Sequence, residues 1–389
     1  MIKSVSLYTL EVYDCEKALE DIQNQLKEKL VLQKNTAGIL HCGYDFIESG
    51  VVSHLCRVLD FPIVGTTVTG QAVNGAANSF MLTMLVLTSD DVEFFAGHSV
   101  GHKEDFFGAM ERNFPSLDTV SSLPLKMAFV FPPLTESNGG DNYIDSFERL
   151  CGSIPIFGTM AVEEAIMTYT QTETICNGES FSEEVTYLLA FGNINPRFFV
   201  TNVPKKSNLL KVGTITRSEG NVVCEIDGLP AVDVFERMGL AENNSFVEGV
   251  EFLPFILSPN DQSRGCRFAR GVVDFTENGG AVCRGTMYEN AGLEIGSNFF
   301  EDILTGAEMT AKRINELPDV QAVLAYSCAV RRIALLGDPG AELDMIRNTI
   351  NSDFPFMACY SGGEICPECA DESEVQNSFH NFSLIVCVL

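Results

Sequence analysis

Residues that could bind a charged ligand lie near the C-terminal end of the chain. Arg331 and Arg332 follow an apolar stretch, where a guanidinium could hold a ligand carboxylate through two hydrogen bonds. Glu364 follows Gly362 and Gly363, whose backbone can turn tightly and direct the carboxylate at a ligand ammonium group. Two alternatives stay open: an arginine paired with one of the many carboxylates, and a glutamate that caps an element or lies at a domain interface.

Hydroxyl groups extend this candidate site. Ser327 and Tyr360 belong to the same expected rim, and threonines at strand ends offer hydroxyls in the N-terminal half, although such residues often only form turns. The predicted ligand-binding residues are Arg331, Arg332, Ser327, Tyr360, Gly362, Gly363, Glu364, Thr66 and Thr67.

Thiols supply a second kind of chemistry. Cys366 and Cys369 form a C-x-x-C pair, the spacing of a redox pair or of half a zinc site. No second pair stands at zinc-ribbon distance, and acidic neighbours raise thiol pKa values, so a pair without function is favoured. Cys328 lies near Arg331, and a nearby cation favours the thiolate. A thiol-dependent enzyme using Cys328 or the C-x-x-C pair stays an alternative; common enzyme motifs are absent, and we predict no enzyme.

His380 lies between Phe379 and Phe382 and could be a haem axial ligand or a pH-sensitive hinge. A single histidine at a strand start is more often structural, and the other histidines show no metal-binding spacing. We therefore predict neither metal nor cofactor, with haem at His380 as the alternative.

One pattern occurs three times and supplies the elements that must position these residues. An apolar run, a polar loop and a helix-like stretch precede a strand that opens with proline and ends at a small-residue corner. The three corner strands are FPIVGTT at 61–67, IPIFGTM at 154–160 and FPFMACY at 354–360, with helices predicted over 51–59, 143–150 and 343–350. Such an order predicts βαβ units in buried sheets, each followed by an antiparallel strand.

The predicted fold is therefore mixed α/β, with repeated strand–helix–strand–strand modules forming two domains whose mixed sheets are covered by helices. A chain of 389 residues exceeds what one core usually holds. A polar break at 203–208 divides it into domains 1–205 and 206–389. The second domain opens with strands over 213–216 and 221–226, and residues 299–317 form the longest predicted helix.

Charge and composition exclude several classes of protein. Lys plus Arg is 25 against 53 for Asp plus Glu, and a net charge of −28 repels nucleic acid and anionic membranes. We expect no membrane span and no secretory signal, because no apolar run approaches about 18 residues. The 13 scattered cysteines suit reduced thiols. We predict an acidic cytoplasmic protein.

Several motifs give the chain a resemblance to a known family. Residues 219–231 (EGNVVCEIDGLPA) resemble the entry to the C-terminal half of FIST proteins, named for F-box and intracellular signal transduction. SCAVRR at 327–332, CYSGGEI at 359–365 and Phe379-His380-Asn381 are similar to further segments of that half. GTTVTGQ at 65–71 resembles an N-terminal motif, with Thr66 where the family often has cysteine and Gln71 in place of an acid.

The resemblance implies an intracellular sensory domain, with FIST N-terminal and C-terminal domains covering nearly the whole chain. FIST proteins are proposed to recognise small molecules such as amino acids, and some relatives are haem-binding nitric-oxide sensors. They pair with histidine kinases, cyclic-dinucleotide enzymes or chemotaxis receptors. Because the two halves account for all 389 residues, we expect the signal to pass through a partner protein.

Overall fold

Three repeats of strands and helices, with one insert, make up the structure. The computed structural model describes residues 2–100, 106–135, 139–163, 171–201, 209–258, 267–297, 299–371 and 374–389. The first repeat contains β1 (Lys3–Thr9), α1 (Cys15–Lys29), β2 (Asn35–Cys42), α2 (Asp45–Glu48), α3 (Val51–Val58), β3 (Ile63–Thr67), β4 (Thr69–Val73), β5 (Ala76–Asn78) and β6 (Leu82–Ser89). The second contains β7 (Val92–Val100), α4 (Phe106–Asn113), α5 (Leu117–Val120), β8 (Leu125–Phe131), α6 (Gly140–Cys151), β9 (Ile156–Thr159), β10 (Thr174–Cys176), β11 (Glu179–Phe181) and β12 (Glu184–Gly192).

The third repeat begins with β13 (Arg197–Thr201) and is then interrupted by the insert, residues 210–295. The insert contains β14 (Leu210–Glu219), β15 (Val222–Ile226), β16 (Leu229–Pro230), α7 (Ala231–Arg237), β17 (Ala241–Glu242), β18 (Ser245–Phe246), a 3-10 turn (Val250–Phe252), β19 (Phe255–Ser258), β20 (Phe268–Arg270), β21 (Val272–Phe275), β22 (Ala281–Cys283) and β23 (Gly292–Ile295). The repeat resumes with α8 (Phe300–Asn315), β24 (Val323–Cys328), α9 (Ala329–Ala334), α10 (Ala341–Thr349), β25 (Phe356–Ser361), β26 (Glu364–Asp371), β27 (Glu374–His380) and β28 (Leu384–Val388).

The predicted βαβ units are confirmed in all three repeats. The strand pairs β2–β3, β8–β9 and β24–β25 are parallel, and β6, β12 and β28 return antiparallel to the first strand of each unit. In the third repeat, β27 ends at His380, and Phe382 has a left-handed φ of 57° before β28 begins. None of the helices in the described ranges is long and apolar enough to span a membrane.

Each repeat lends a hairpin to another repeat's sheet, which the sequence pattern did not predict. The three six-stranded sheets have equivalent orders: β1-β6-β2-β3-β10-β11, β7-β12-β8-β9-β26-β27 and β13-β28-β24-β25-β4-β5. Thus β4–β5 of the first repeat joins the third sheet, β10–β11 of the second joins the first, and β26–β27 of the third joins the second. The exchange is cyclic, so the repeats form a closed ring.

The core has a central part shared by all three sheets and an outer part under the helices of each repeat. Ile39, Phe129 and Leu324, one from each repeat, belong to the same central cluster. The opposite faces of the sheets pack against α1 and α3, against α4 and α6, and against α8 and α10. Strands buried on both faces explain the continuous apolar runs in the sequence. The mixed α/β fold is as predicted.

His41, Phe131 and Tyr326 occupy equivalent positions on β2, β8 and β24 and meet at the centre of the ring. The His41 ring contacts the rings of Phe131 and Tyr326 edge-on, each with centroids 5.4 Å apart. The Phe131 and Tyr326 rings are 6.5 Å apart and nearly perpendicular. His41 Nε2 also lies 2.8 Å from the Tyr326 hydroxyl oxygen. These contacts join three segments that are far apart in sequence.

The insert is a separate antiparallel layer with its own core. Its strands follow the order β20-β19-β23-β14-β15-β22-β21, with β16 beside β15, around buried residues such as Ile215, Phe235 and Phe255. The predicted strands over 213–216 and 221–226 lie on β14 and β15, which pair antiparallel. The predicted domain boundary at 205/206 lies outside the described residues and stays a prediction.

Candidate functional site

The small-residue corners predicted from the repeats meet one another. The Val162 amide donates to the Thr67 carbonyl oxygen at 3.1 Å, which joins the second corner to the first. The Met160 amide donates to the Gly363 carbonyl oxygen at 2.9 Å, and the Gly362 amide donates to the Met160 carbonyl oxygen at 3.1 Å. The second corner therefore bridges the other two.

Close packing at the third corner explains its glycine pair. A Cβ atom on Gly362 would lie 2.3 Å from the Ala161 carbonyl oxygen, so the backbone approach requires glycine. Gly363 has a φ of 152°, and a Cβ there would lie 2.7 Å from the Phe379 ring. The tight turn sets the position of Glu364 at the start of β26.

Glu364 is completely buried. Its Oε1 accepts a hydrogen bond from the Ser361 hydroxyl at 3.2 Å, whereas its Oε2 has no hydrogen-bond partner among the described residues. Burial raises the pKa of Glu364 well above its usual value, against the opposing effects of Ser361, the Arg331 charge, the Ser383 amide and the Cys328 thiol. Burial therefore favours the protonated carboxyl group, which can donate as well as accept a hydrogen bond.

Arg331 and Ser327 are brought together, but by a residue that the sequence analysis missed. Glu342, fully buried in the first turn of α10, accepts from Arg331 Nη2 at 2.5 Å and Nε at 3.1 Å. The Ser327 hydroxyl donates to the other carboxylate oxygen at 2.7 Å. Arg331 Nη1 donates to the Phe382 carbonyl oxygen at 3.2 Å, so its guanidinium is engaged inside the protein. Glu342 lies four residues before Ile346 on the buried helix face, and an acid there was the available signal.

Arg332 connects the third repeat to the hairpin of the first. Its Nη1 donates to the Thr69 hydroxyl, and its Nη2 donates to the Ser79 hydroxyl at 3.0 Å. Tyr360 lies in the cluster under α8 and α10, and its hydroxyl has no hydrogen-bond partner among the described residues. Neither Arg332 nor Tyr360 lines the cavity described next.

The two predicted threonines of the first corner are buried and make backbone contacts. The Thr66 hydroxyl donates to the Glu173 carbonyl oxygen at 3.1 Å, and the Glu173 amide donates to the Thr67 hydroxyl at 3.0 Å. These bonds attach the strand to the segment leading into β10. The structure thus places Thr66 and Thr67 apart from the cavity.

A cavity of about 540 Å³ lies between the insert and the third corner. Cys328, Ser361 and Gly362 belong to the ring side of its wall, and Arg284 lies on the insert side. Its charged lining is Arg284 with the carboxylates of Glu248, Glu251 and Asp274; its apolar lining includes Leu134, Val162, Phe246, Val272, Val330 and Phe382. A mostly apolar pocket with few charged groups is typical of small-molecule sites. The sequence analysis missed the insert's charges, because scattered surface charges look alike in a sequence.

The motif Phe379-His380-Asn381 anchors the insert beside this cavity. Arg270, with 2% of its surface exposed, donates from Nη1 to the Phe379 carbonyl oxygen at 2.8 Å. The Gly271 amide donates to Asn381 Oδ1 at 3.4 Å. On the other side, the Thr286 amide donates to Asp141 Oδ2 at 2.7 Å. These bonds fix the cavity wall to the second and third repeats.

Comparison with family models agrees with these motifs. The model of the FIST N domain matches residues 36–229, and that of the FIST C domain matches residues 231–367. The chain belongs to the FIST family. FIST domains are associated with sensory roles in signal transduction. A search among curated proteins found no match. The two models meet inside the insert, so β14 and β15 fall in the FIST N match and the elements from α7 to β23 fall in the FIST C match.

The thiols of Cys328 and Cys366 in this FIST protein are held in their protonated form. Burial raises the pKa of Cys328, and the neighbouring Glu364 raises it further, whereas Arg331 lowers it by less. Burial also raises the pKa of Cys366 well above its usual value, and this thiol is fully buried. The side chain of Cys369 lies outside the described residues. The described geometry gives Cys328 and Cys366 no thiolate character.

The surroundings of His380 do not fit haem ligation. The side chain is 1% exposed, its Nε2 lies 3.1 Å from the Cys366 carbonyl oxygen, and His380 does not line the cavity. Burial lowers the pKa of His380 to about 4, so the ring is neutral. A haem group would need open space on one side of the ring, and here the ring is buried inside the protein.

Proposed function

We propose that this FIST protein is a sensory module that binds a small molecule in the cavity between the insert and the third corner. One observation carries the proposal: the cavity combines an apolar lining with charges of both signs, at the place where the family motifs CYSGGEI and FHN meet. Phe382, which lines it, has a strained left-handed backbone that Arg331 holds through its carbonyl oxygen. Backbone strain of this kind is found at ligand sites.

An amino acid is the ligand class that this lining supports best. Arg284 can hold a carboxylate, and it forms no ion pair with any carboxylate of the described ranges. Glu248, Glu251 and Asp274 provide acceptors for an ammonium group. Phe246 and Phe382 offer aromatic surface to an apolar side chain.

The signal would pass through the attachment of the insert. A ligand held between the insert and the ring contacts Gly271 and Asn381, which belong to the anchoring bonds. Binding would therefore favour one position of the insert and change the surface offered to a partner. A histidine kinase, a cyclic-dinucleotide enzyme or a chemotaxis receptor is the partner class we propose, in the cytoplasm.

We propose a binding function and no catalysis. The buried, protonated thiols of Cys328 and Cys366 support this view, since nucleophilic chemistry requires a thiolate.

A thermal-shift screen of the proteinogenic amino acids tests the proposal, because a ligand that binds only the folded state raises the melting temperature. We expect at least one to raise it, and Arg284→Ala to abolish that shift. Arg217→Ala is the matched control, an arginine of the same insert that pairs with Glu225 outside the cavity. If no amino acid stabilises the wild type, or Arg284→Ala keeps the full shift, the proposal is wrong.

A further inference from the structure

A buried carboxyl group, that of Glu364, lies directly behind the inner wall of the cavity. Cys328 and Ser361 line the cavity, and both interact with Glu364, the former through its thiol and the latter through its hydroxyl. Glu364 Oε2 has no hydrogen-bond partner among the described residues. A buried polar atom without a partner costs free energy, and a ligand that supplies the partner recovers it.

The charged and titratable groups around Glu364 do not already provide a cation that pairs with it. Arg331 approaches from α9, but its guanidinium is already paired with Glu342. The thiols of Cys328 and Cys359 approach from β24 and β25, and His380 stands opposite in register on β27. Both thiols and the histidine are neutral at pH 7, because burial raises the thiol pKa values and lowers that of His380. Among the described residues, Arg331 is the cation that acts on this carboxyl group, and Glu342 already holds its guanidinium.

We propose that Cys328, Ser361 and Glu364 receive the ammonium group of the ligand, and that Glu364 releases its proton to solvent as the ammonium enters. This inference rests on the proposed function and adds the orientation of the ligand: its ammonium group is inside and its carboxylate faces Arg284. The step balances, since a neutral carboxyl and an ammonium become a carboxylate–ammonium pair and one proton. The pair replaces an unsatisfied acid by a charge-assisted hydrogen bond.

Proton release makes binding dependent on pH in a defined direction. Because the ligand binds the ionised form of Glu364, affinity rises with pH below the pKa of Glu364, by up to about tenfold per pH unit. A ligand with a carboxylate alone gives no such dependence at this group. The other acids of the cavity lining, Glu248, Glu251 and Asp274, are partly or fully exposed, unlike the buried Glu364.

Calorimetric titration in buffers with different ionisation enthalpies counts the released protons. The probes are L-phenylalanine, phenethylamine and 3-phenylpropanoate, chosen because Phe246 and Phe382 line the cavity. We expect the wild type to release about one proton per molecule of either amine at pH 7, and none with 3-phenylpropanoate. Glu364→Gln, which keeps the shape of the side chain, should release none and bind phenethylamine about tenfold or more weakly.

The outcomes separate this inference from the proposed function. Binding of L-phenylalanine to the wild type without proton release, or with equal release by Glu364→Gln, overturns the inference and leaves the proposed function intact. If none of the three probes binds, the proposed function is wrong for aromatic ligands. The assignment of the inner wall to the ammonium group is then wrong as well. The wild-type proton count needs no variant, so the inference stays testable even if Glu364→Gln folds poorly.

Discussion

His41 and Tyr326, separated by 285 positions, are joined side chain to side chain by a 2.8 Å hydrogen bond at the centre of the ring. Both are fully buried, and they occupy equivalent strand positions in the first and third repeats. Burial lowers the pKa of His41 to about 3, so the imidazole is neutral and its Nε2 pairs with the phenol. The bond reports on closure of the ring, because it forms only when the N-terminal and C-terminal repeats have met.

Tyr326→Phe should therefore destabilise the protein by about 1–3 kcal/mol, since it leaves the buried His41 nitrogen unpaired. Adding His41→Phe removes the second polar partner and should recover much of that loss. Urea denaturation of the single and double variants measures the coupling. Tyr13→Phe is the control, at a tyrosine with 84% of its surface exposed. Strictly additive effects of the two central substitutions would contradict the interpretation.

The two buried histidines should make stability fall in acid. The pKa values of His41 and His380 are lowered to about 3 and about 4 from 6.5, so below pH 6.5 the unfolded chain binds more protons than the folded one. Each histidine then removes up to about 1.4 kcal/mol per pH unit until the pH reaches its folded pKa. Above pH 6.5 this contribution is fully present.

The contribution of His41 to the pH dependence of stability is measured most clearly by comparing the wild type with a variant that lacks this histidine. Glu364 acts in the opposite sense, because its raised pKa makes stability fall as pH rises above the unfolded value. The wild type should therefore lose more stability between pH 7 and pH 5 than the His41→Phe, Tyr326→Phe double variant does. Chemical denaturation at each pH measures both. Parallel curves for the two proteins would show that folding does not lower the pKa of His41.

The repeated βαβ unit could be predicted from the sequence, whereas the exchange of hairpins between repeats could not. An apolar strand, a helix and a proline-led strand form a local pattern, so 61–67, 154–160 and 354–360 were recognisable. The pairing of β4 with β25 joins positions such as Ala72 and Ala358, and nothing local records that choice. The same limit applied to the site. Glu364 could be predicted from the adjacent glycines, whereas the roles of Glu342 and Arg284 depend on residues that are distant in sequence.

The Arg331–Glu342 pair should be one of the costliest to break. Both side chains are buried, with exposures of 3% and 0%, and removing one partner leaves an uncompensated buried charge. Arg331→Met or Glu342→Gln should lower the free energy of unfolding by about 3–5 kcal/mol. Arg217→Met, at a half-exposed arginine paired with Glu225, should leave the denaturation midpoint unchanged. Equal small effects in all three variants would mean that the buried pair is not formed in solution.

Arg270 should control the attachment of the insert without supporting the ring itself. Its guanidinium donates to the carbonyl oxygens of Phe379, Ala269 and Thr286, so Arg270→Met leaves these acceptors without their donor. We expect faster hydrogen exchange in β20, β21 and β27, with exchange in α1 and α3 unchanged. Because the cavity lies beside these strands, the ligand-induced rise in melting temperature should shrink as well.

The control for Arg270 is three positions earlier in the chain. Arg267 has a side chain that is 49% exposed and pairs with Glu294 at the surface of the insert, so Arg267→Met should leave the exchange pattern as in the wild type. Uniformly faster exchange across all repeats in Arg270→Met would show that the arginine supports the whole fold. Unchanged exchange in β20, β21 and β27 would show that the bond to Phe379 does not hold the insert, and the route proposed for the signal would then need another contact.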